Sequence, residues 1–199
     1  MKRITQLVLI GIVTHIFGCT PIGKLYYGVK RPDYESEVSI RQFVSKLGLP
    51  QVPVYSLSYD AWKSDKRLQS PDVYVFDKEG RYIPYKDPLK PNCTGPAELF
   101  LSYLDTSNIY HYSDEYTLNA VCEQLNSTDC SMHNPLVDSQ NDFCIFVTFT
   151  KWQGKKFQKK KTLVWLDSLQ QNKRIRYDLI LVNCDFQDCW SEAQKHSLE

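Results

Sequence analysis

The chain has 199 residues, with 24 basic and 23 acidic side chains. A length of this order allows one domain with a real hydrophobic core. The near balance of charge excludes the strongly basic surface of a general nucleic-acid-binding protein, so we expect no nucleic-acid partner.

The N-terminus has the pattern of a bacterial export signal. A positive start, Met-Lys-Arg, precedes an apolar stretch over residues 4–17. A spanning helix needs roughly 20 apolar residues, so this stretch has the length of a signal peptide instead. It ends with Ile16, Phe17, Gly18 and Cys19. This ending resembles the lipobox of bacterial lipoproteins, although Phe17 stands where a small residue is usual. The resemblance implies cleavage after Gly18 and lipidation of Cys19.

The lipoprotein resemblance predicts three segments in the chain and a location in the cell envelope. We predict a signal peptide over residues 1–18, a polar tether over 19–36 and an α/β domain over 37–199. Cleavage removes Lys2 and Arg3, which leaves 22 basic against 23 acidic side chains. The residues after Cys19 lack the Asp that retains such proteins in the inner membrane and the acidic cluster that exports some to the surface. We expect a lipid anchor in the outer membrane, facing the periplasm.

The first half of the domain shows both helical and strand periods. The predicted elements are, in chain order, a helix over residues 38–47, a strand over 52–59, a loop or helical turn over 63–69, a strand over 72–76, a returning edge strand over 81–85 and a helix over 94–104. Gly48 closes the first helix, and Gly80 suits the tight turn between the two later strands. Thr94 caps the last helix.

The second half alternates helices with more strongly apolar strands. The predicted elements are a short strand over residues 108–112, a helix over 114–125, a polar loop over 126–141, a strand over 143–149, a helix over 155–171, a strand over 177–183 and a short helix over 188–195. Strand, helix and strand in succession predict parallel pairing of strands 143–149 and 177–183 through a right-handed crossover. The fold class is therefore α/β.

Two blocks of the domain resemble the two halves of the thioredoxin fold. In that fold a central strand leads into a Trp-Cys-Gly-Pro-Cys turn that opens a helix, and a parallel strand follows. The corresponding turn here consists of Trp152, Gln153, Gly154, Lys155 and Lys156. The other half of the fold begins with a proline that is usually cis, for which the resemblance indicates Pro71. The halves occur in reversed order, which implies a circularly permuted, three-layer thioredoxin-like domain with a mixed central sheet. An unrelated α/β fold is the alternative.

The resemblance also bears on catalysis. Thioredoxin attacks disulfides with a thiolate at the helix N-terminus. Gln153 and Lys156 stand at the matching positions, and neither side chain can make that attack. The resemblance therefore implies a redox-inactive member that binds or scaffolds, and we predict no catalytic residue at this turn.

The cysteines suggest structural bridges. Six remain after Cys19, at positions 93, 122, 130, 144, 184 and 189. In an oxidising compartment these permit three disulfides. We predict the local pairs Cys122 with Cys130 and Cys184 with Cys189, while Cys144 lies in an apolar strand and can stay a buried thiol. The chain has no Cys-x-x-Cys pair and its histidines are scattered, so we predict no metal and no cofactor.

Three functions remain open. We favour a non-catalytic binding or accessory protein of the cell envelope, held to the membrane by its lipid, with an envelope protein or an anionic polymer as partner. The first alternative is a periplasmic thiol–disulfide oxidoreductase that uses Cys184 and Cys189. The second is a module that binds glycans or envelope polymers through surface tyrosines and the lysine cluster of residues 155–161. That cluster can equally be a solvated helix face.

Overall fold

The structure is a computed structural model that describes residues 20–65, 67–87, 89, 94–131, 135, 137–138 and 140–198. The side chains of residues 20–23 are outside this description. The predicted signal peptide, Cys19 and Cys93 also lie outside the described residues. Within the described residues, no helix has the length and apolar character needed to cross a bilayer.

The described residues form a mixed α/β structure. The strands are β1 (Tyr34–Glu35), β2 (Val54–Leu57), β3 (Asp72–Asp77), β4 (Arg81–Ile83), β5 (Ser113–Thr117), β6 (Leu125–Ser127), β7 (Phe143–Phe149), β8 (Tyr177–Asn183) and β9 (Phe186–Gln187). The helices are α1 (Thr20–Tyr27), α2 (Glu37–Lys46), α3 (Tyr59–Lys63), α4 (Ala97–Ser102), α5 (Leu118–Glu123), α6 (Lys155–Lys160), α7 (Thr162–Gln171) and α8 (Glu192–His196).

Seven strands form one mixed sheet in the order β5-β4-β3-β7-β8-β2-β6. The central strands β7 and β8 are parallel, with Phe146 opposite Ile180, and the helices α6 and α7 connect them. Strand β2 continues the parallel part beside β8, whereas β3 is antiparallel to β7 and β4 is antiparallel to β3. The α/β class and the parallel pairing predicted from the sequence are thus confirmed.

Strand β7 explains why the sheet is covered on both sides. All seven of its residues are buried, so its side chains alternate between two apolar cores. Ile145 and Val147 pack in a core with α2, α4 and α7, and Cys144 and Phe146 pack in a second core with α3 and α5. Complete burial of one such apolar side chain contributes about 1.5–3 kcal/mol. Helices therefore lie on both faces of the sheet.

The helix predicted over residues 155–171 is divided in two. Lys161 has φ −115° and ψ −70° and separates α6 from α7. Buried polar side chains hold this break: the Gln158 Nε2 atom donates to the Thr150 carbonyl at 2.8 Å, and the Thr162 hydroxyl donates to Gln158 Oε1 at 2.5 Å. The apolar period continues across the break, which is why the sequence pattern predicts one helix.

The region between β4 and α5 also differs from the prediction. Strand β5 occupies residues that were predicted to begin a helix, and residues 108–112 form no strand. Tyr116 explains why this segment is a strand and not a helix, because its ring packs on Tyr74 and Tyr82 at centroid distances of 5.2 and 5.3 Å. Helix α5 starts only after Thr117, whose hydroxyl accepts a hydrogen bond from the Ala120 amide. Tertiary packing of an aromatic side chain outweighs the local helix pattern here.

The segment predicted to be a tether is ordered against the domain from Thr20 onward. It forms helix α1, and its strand β1 pairs in parallel with β9. The Tyr27 ring packs edge-on against Phe157 of α6 with 5.7 Å between centroids. Aromatic contacts of this kind order a segment that has no helical or strand period of its own.

Candidate functional site

Three features singled out from the sequence meet at one edge of the sheet, by which we mean the end formed by the C-termini of β7 and β8. The turn of residues 152–156 follows β7, and residues 184–189 follow β8. Because β7 and β8 are parallel, both segments leave the sheet at the same edge. Strand β3 runs antiparallel to β7 and begins there, with Asp72 opposite Thr148. The Ser70–Pro71 peptide bond just before β3 is cis, and it therefore lies at this edge too.

The 152–156 turn contacts the Ser70 loop through Gln153. The Gln153 Nε2 atom donates to the Ser70 carbonyl at 3.3 Å, and its Oε1 atom accepts from Gln158 Nε2 at 3.0 Å. Both ends of the amide are therefore engaged, at the position where the thioredoxin resemblance puts a nucleophile. Lys156, at the second matching position, is exposed, and its Nζ atom lies 4.9 Å from the centre of the Tyr26 ring.

The segment after α1 lies across this turn. The Lys30 amide donates to the Trp152 carbonyl at 2.8 Å. Gly154 has φ +86°, and a Cβ atom at this position would lie 2.3 Å from the Tyr27 carbonyl oxygen. Only glycine combines this backbone conformation with so close an approach. The role of Gly154 is thus to admit the N-terminal segment.

A cavity of about 190 Å³ opens beside the turn. Its wall includes the aromatic side chains of Trp62, Trp152 and Phe186 and the polar side chains of Arg67, Cys184 and Asp185. Two further lining residues, Ser70 and Thr150, have buried hydroxyl oxygens that make no hydrogen bond within the described residues. Arg67 stacks over Trp62 at 4.8 Å, so its charge is oriented by the aromatic wall.

Asp185 joins the two strand ends. Its carboxylate accepts from the Lys151 amide at 2.7 Å, and a longer contact of 3.5 Å reaches the Trp152 amide. Burial raises the pKa of Asp185 to about 7, because the charged form is poorly solvated. The sequence analysis did not single out Asp185 as a site residue. The available signal was an acidic residue directly after a buried strand.

The cysteine pairing differs from the prediction. Cys130 is bonded to Cys189, across a sequence separation of 59 residues. Cys122 and Cys184 are free thiols, so both predicted local pairs are wrong. Nearness in sequence favoured the local pairs, but it does not reveal that the β6 turn and the segment after β9 meet in space. Cys144 is a buried free thiol, as its apolar strand suggests.

The free thiols are poor nucleophiles. Burial raises the pKa of Cys184 and of Cys144 far above the usual range and that of Cys122 to about 11. The thiolate is the reactive form of cysteine, and raising the pKa removes it at neutral pH. Cys189 is occupied in its bridge with Cys130. The edge of the sheet therefore offers a small cavity with aromatic walls and a few polar groups, without an activated thiol among its described residues.

The predicted lysine cluster is fully on the surface. Lys155, Lys156, Lys159, Lys160 and Lys161 are all exposed. Lys160 donates to the Tyr26 hydroxyl at 3.2 Å, which adds helix α1 to the surroundings of the cluster. The described residues contain no group of three or more His, Cys, Asp or Glu side chains arranged to hold a metal ion.

Comparison of the chain with protein families, with curated proteins and with solved structures finds no significant match.

Proposed function

We propose that this protein is a lipid-anchored protein of the cell envelope whose thioredoxin-like domain binds a partner and does not exchange disulfides. The observation that carries the proposal is the engagement of Gln153 by the Ser70 carbonyl, at the position where a thioredoxin would present its thiolate. A glutamine amide whose nitrogen donates and whose oxygen accepts a hydrogen bond can fix the conformation of a binding surface. It cannot form the mixed disulfide on which thiol–disulfide exchange depends.

The sheet supports the thioredoxin-like assignment. A permuted thioredoxin-like sheet requires the proline loop to face the turn after the central strand. The Gln153 to Ser70 contact and the antiparallel pairing of β3 with β7 agree with that requirement. The parallel neighbour on the other side of β7 is β8, the strand that follows the helices α6 and α7. This arrangement is what joining the two halves in reversed order would produce.

The thiols support binding over catalysis. The oxidoreductase alternative requires Cys184 and Cys189 to cycle between a dithiol and a shared disulfide. Cys189 is bonded to Cys130 instead, and burial raises the pKa of Cys184. The cavity beside Cys184 has aromatic walls and two buried hydroxyls that make no hydrogen bond within the described residues. These are features of a surface that recognises a small polar group of a partner. An envelope protein is the partner class that we favour for this edge.

An insulin-reduction assay on the purified lipidated chain tests the absence of redox catalysis. We expect no turnover above buffer in the presence of dithiothreitol, and the same baseline for Cys184→Ser. Robust turnover that Cys184→Ser abolishes would contradict the proposal and restore the oxidoreductase alternative. Alkylation of the denatured chain, followed by mass spectrometry, checks the thiol state independently and should show Cys130 and Cys189 protected.

The lipid anchor has its own test. Intact mass spectrometry of the chain purified from membranes should show loss of residues 1–18 and an added diacylglycerol at Cys19. Replacement by Cys19→Ala should leave the signal peptide uncleaved by the lipoprotein route and remove the added mass. An unmodified Cys19 in the mature protein would refute the anchor.

A further inference from the structure

The helix that follows the predicted anchor lies against the lysine cluster. Cys19 is bonded directly to Thr20, where α1 begins, and α1 has 8 residues. At 1.5 Å per residue this helix is about 12 Å long. At its far end the Tyr26 ring lies 4.9 Å from Lys156 Nζ and 5.0 Å from Lys160 Nζ, and Tyr27 packs on Phe157. The attachment point and the cluster are thus separated by about one short helix.

The surface formed by α1 and α6 combines positive charge with exposed apolar groups. We define the basic face as the exposed side chains of α1 and α6 with the adjoining Lys161, namely Lys24, Leu25, Tyr26, Lys155, Lys156, Lys159, Lys160 and Lys161. Leu25 is 85% exposed and Tyr26 is 52% exposed. Aromatic, aliphatic and lysine side chains on one surface are typical of segments that lie in the headgroup region of a bilayer.

The described part of the chain forms no ion pair with the lysines of the basic face. Among the described residues, no carboxylate lies within 4.0 Å of the Nζ atom of any of its six lysines. Lys155 and Lys156 also stand in the first turn of α6, where positive charge opposes the helix dipole. An external anionic surface would relieve both effects.

We propose that the basic face rests on the anionic lipid headgroups of the membrane that holds the anchor. This inference depends on the proposed lipidation of Cys19. The acyl chains keep α1 at the bilayer, the packing of α1 on α6 brings the lysines to the same surface, and Leu25 enters the headgroup region. The domain then has a defined orientation, with residues 155–161 turned to the lipid.

Lysine labelling of the membrane-bound protein tests this orientation. The full lipidated chain is reconstituted into vesicles of phosphatidylglycerol and phosphatidylethanolamine, or of phosphatidylcholine alone, and acetylated with a water-soluble reagent. We expect slow acetylation of Lys156 and Lys160 on the anionic vesicles only, with protection lost at about 0.5 M salt because the charges are screened. Exposed lysines elsewhere in the domain, Lys46, Lys78 and Lys173, should label equally in all conditions.

A triple variant sharpens the test without disturbing α1. Lys155→Gln, Lys159→Gln and Lys161→Gln together remove charge but leave the contacts of Tyr26 in place. Each basic residue near an anionic surface contributes about fivefold to binding, so the three substitutions should weaken the contact by about a hundredfold. Acetylation of Lys156 and Lys160 should then reach the rate seen on phosphatidylcholine vesicles. The matched control replaces three lysines elsewhere, by Lys46→Gln, Lys78→Gln and Lys173→Gln. It should leave the protection of Lys156 and Lys160 unchanged.

The outcomes separate the two proposals. An acylated chain whose basic face labels equally on both kinds of vesicle would overturn the membrane contact and leave the anchor standing. An intact mass without the acyl group would overturn both. Protection that appears on phosphatidylcholine vesicles only after an anionic polysaccharide is added would assign the basic face to a soluble polymer and overturn the lipid contact.

Discussion

The turn after β7 and the segment after β8 leave the same edge of the sheet, yet each lacks a different requirement of redox chemistry. The 152–156 turn stands where the thioredoxin resemblance would put a thiolate, but it has no thiol, since Gln153 and Lys156 are at the matching places. The segment after β8 has thiols but not their reactivity, because Cys184 is buried and Cys189 is bonded to Cys130. The difference teaches that neither a place in a fold nor a cysteine pair in the sequence is sufficient for a thiolate.

Removing the Cys130–Cys189 bridge should have the largest effect. The Cys130→Ser, Cys189→Ser variant should lose about 2–4 kcal/mol of unfolding free energy, because the bridge closes a long loop in the unfolded chain. Urea unfolding with and without dithiothreitol measures this loss, and reduction should have no further effect on the variant. Cys122→Ser, at a free thiol, is the control. Equal stability of the double variant and the native chain would show that the bridge is not structural.

Gly154→Ala should come next. The new Cβ atom would meet the Tyr27 carbonyl at 2.3 Å, and φ of +86° is strained for alanine, so we expect a loss of about 1–3 kcal/mol. Trypsin should then cleave faster in the 20–36 segment, because that segment is displaced. Gly48→Ala is the matched control: Gly48 has φ +91° but open space around it. If both variants were cleaved at the native rate, the N-terminal segment would not depend on Gly154.

Asp185 should make stability depend on pH. Burial raises its folded-state pKa to about 7, whereas an unfolded chain has a value of about 3.9. Below the unfolded-state pKa, Asp185 makes its full contribution to the free energy of unfolding. This contribution is lost as pH rises through 7, because the folded state must then bury the charge. Asp185→Asn should remove this fall, which we expect to be roughly 2 kcal/mol between pH 5 and 7.

Urea unfolding across that pH range measures the effect of Asp185. Asp188→Asn, at a more exposed acid of the same segment, serves as the control and should keep the native pH profile. A native chain whose stability rises steadily from pH 5 to 7, with no difference in Asp185→Asn, would contradict the raised pKa.

The smallest effect is expected for Gln153→Ala. It removes the bonds to the Ser70 carbonyl and to Gln158, which together should contribute about 0.5–1.5 kcal/mol. Thermal unfolding measures this change, and Gln171→Ala, at the exposed end of α7, should be neutral. A neutral result for both variants would mean that Gln153 does not organise the turn.

Much of the central sheet could be predicted from the sequence because its patterns are local. The continuous apolar run of β7, the second run of β8 and the turn at Gly80 are each visible within fewer than about ten residues. The N-terminal signal and its Cys19 are local in the same sense, and lipidation stays a prediction. The limits of β5 and α5 were missed because the packing of Tyr116 on Tyr74 and Tyr82 decides them.

The candidate site was only half visible in the sequence. Gln153, Gly154 and Lys156 were selected because the segment resembles the turn that follows the central strand in the thioredoxin fold. Asp185 could not be linked to Lys151 and Trp152, nor Gly154 to Tyr27, because both contacts join distant segments. The cysteine pairing failed for the same reason.

What the sequence determined by itself was the apolar strands β7 and β8, the α/β class and the absence of a Cys-x-x-Cys pair. Periodicity and residue type are properties of short windows, so no tertiary information was needed for them. Only the tertiary structure decided that Cys130 bonds Cys189, that Asp185 is buried at the strand ends and that α1 packs on the lysines of α6. Each of these depends on which segments meet after folding. Burial where the two strand ends meet raises the pKa of Asp185.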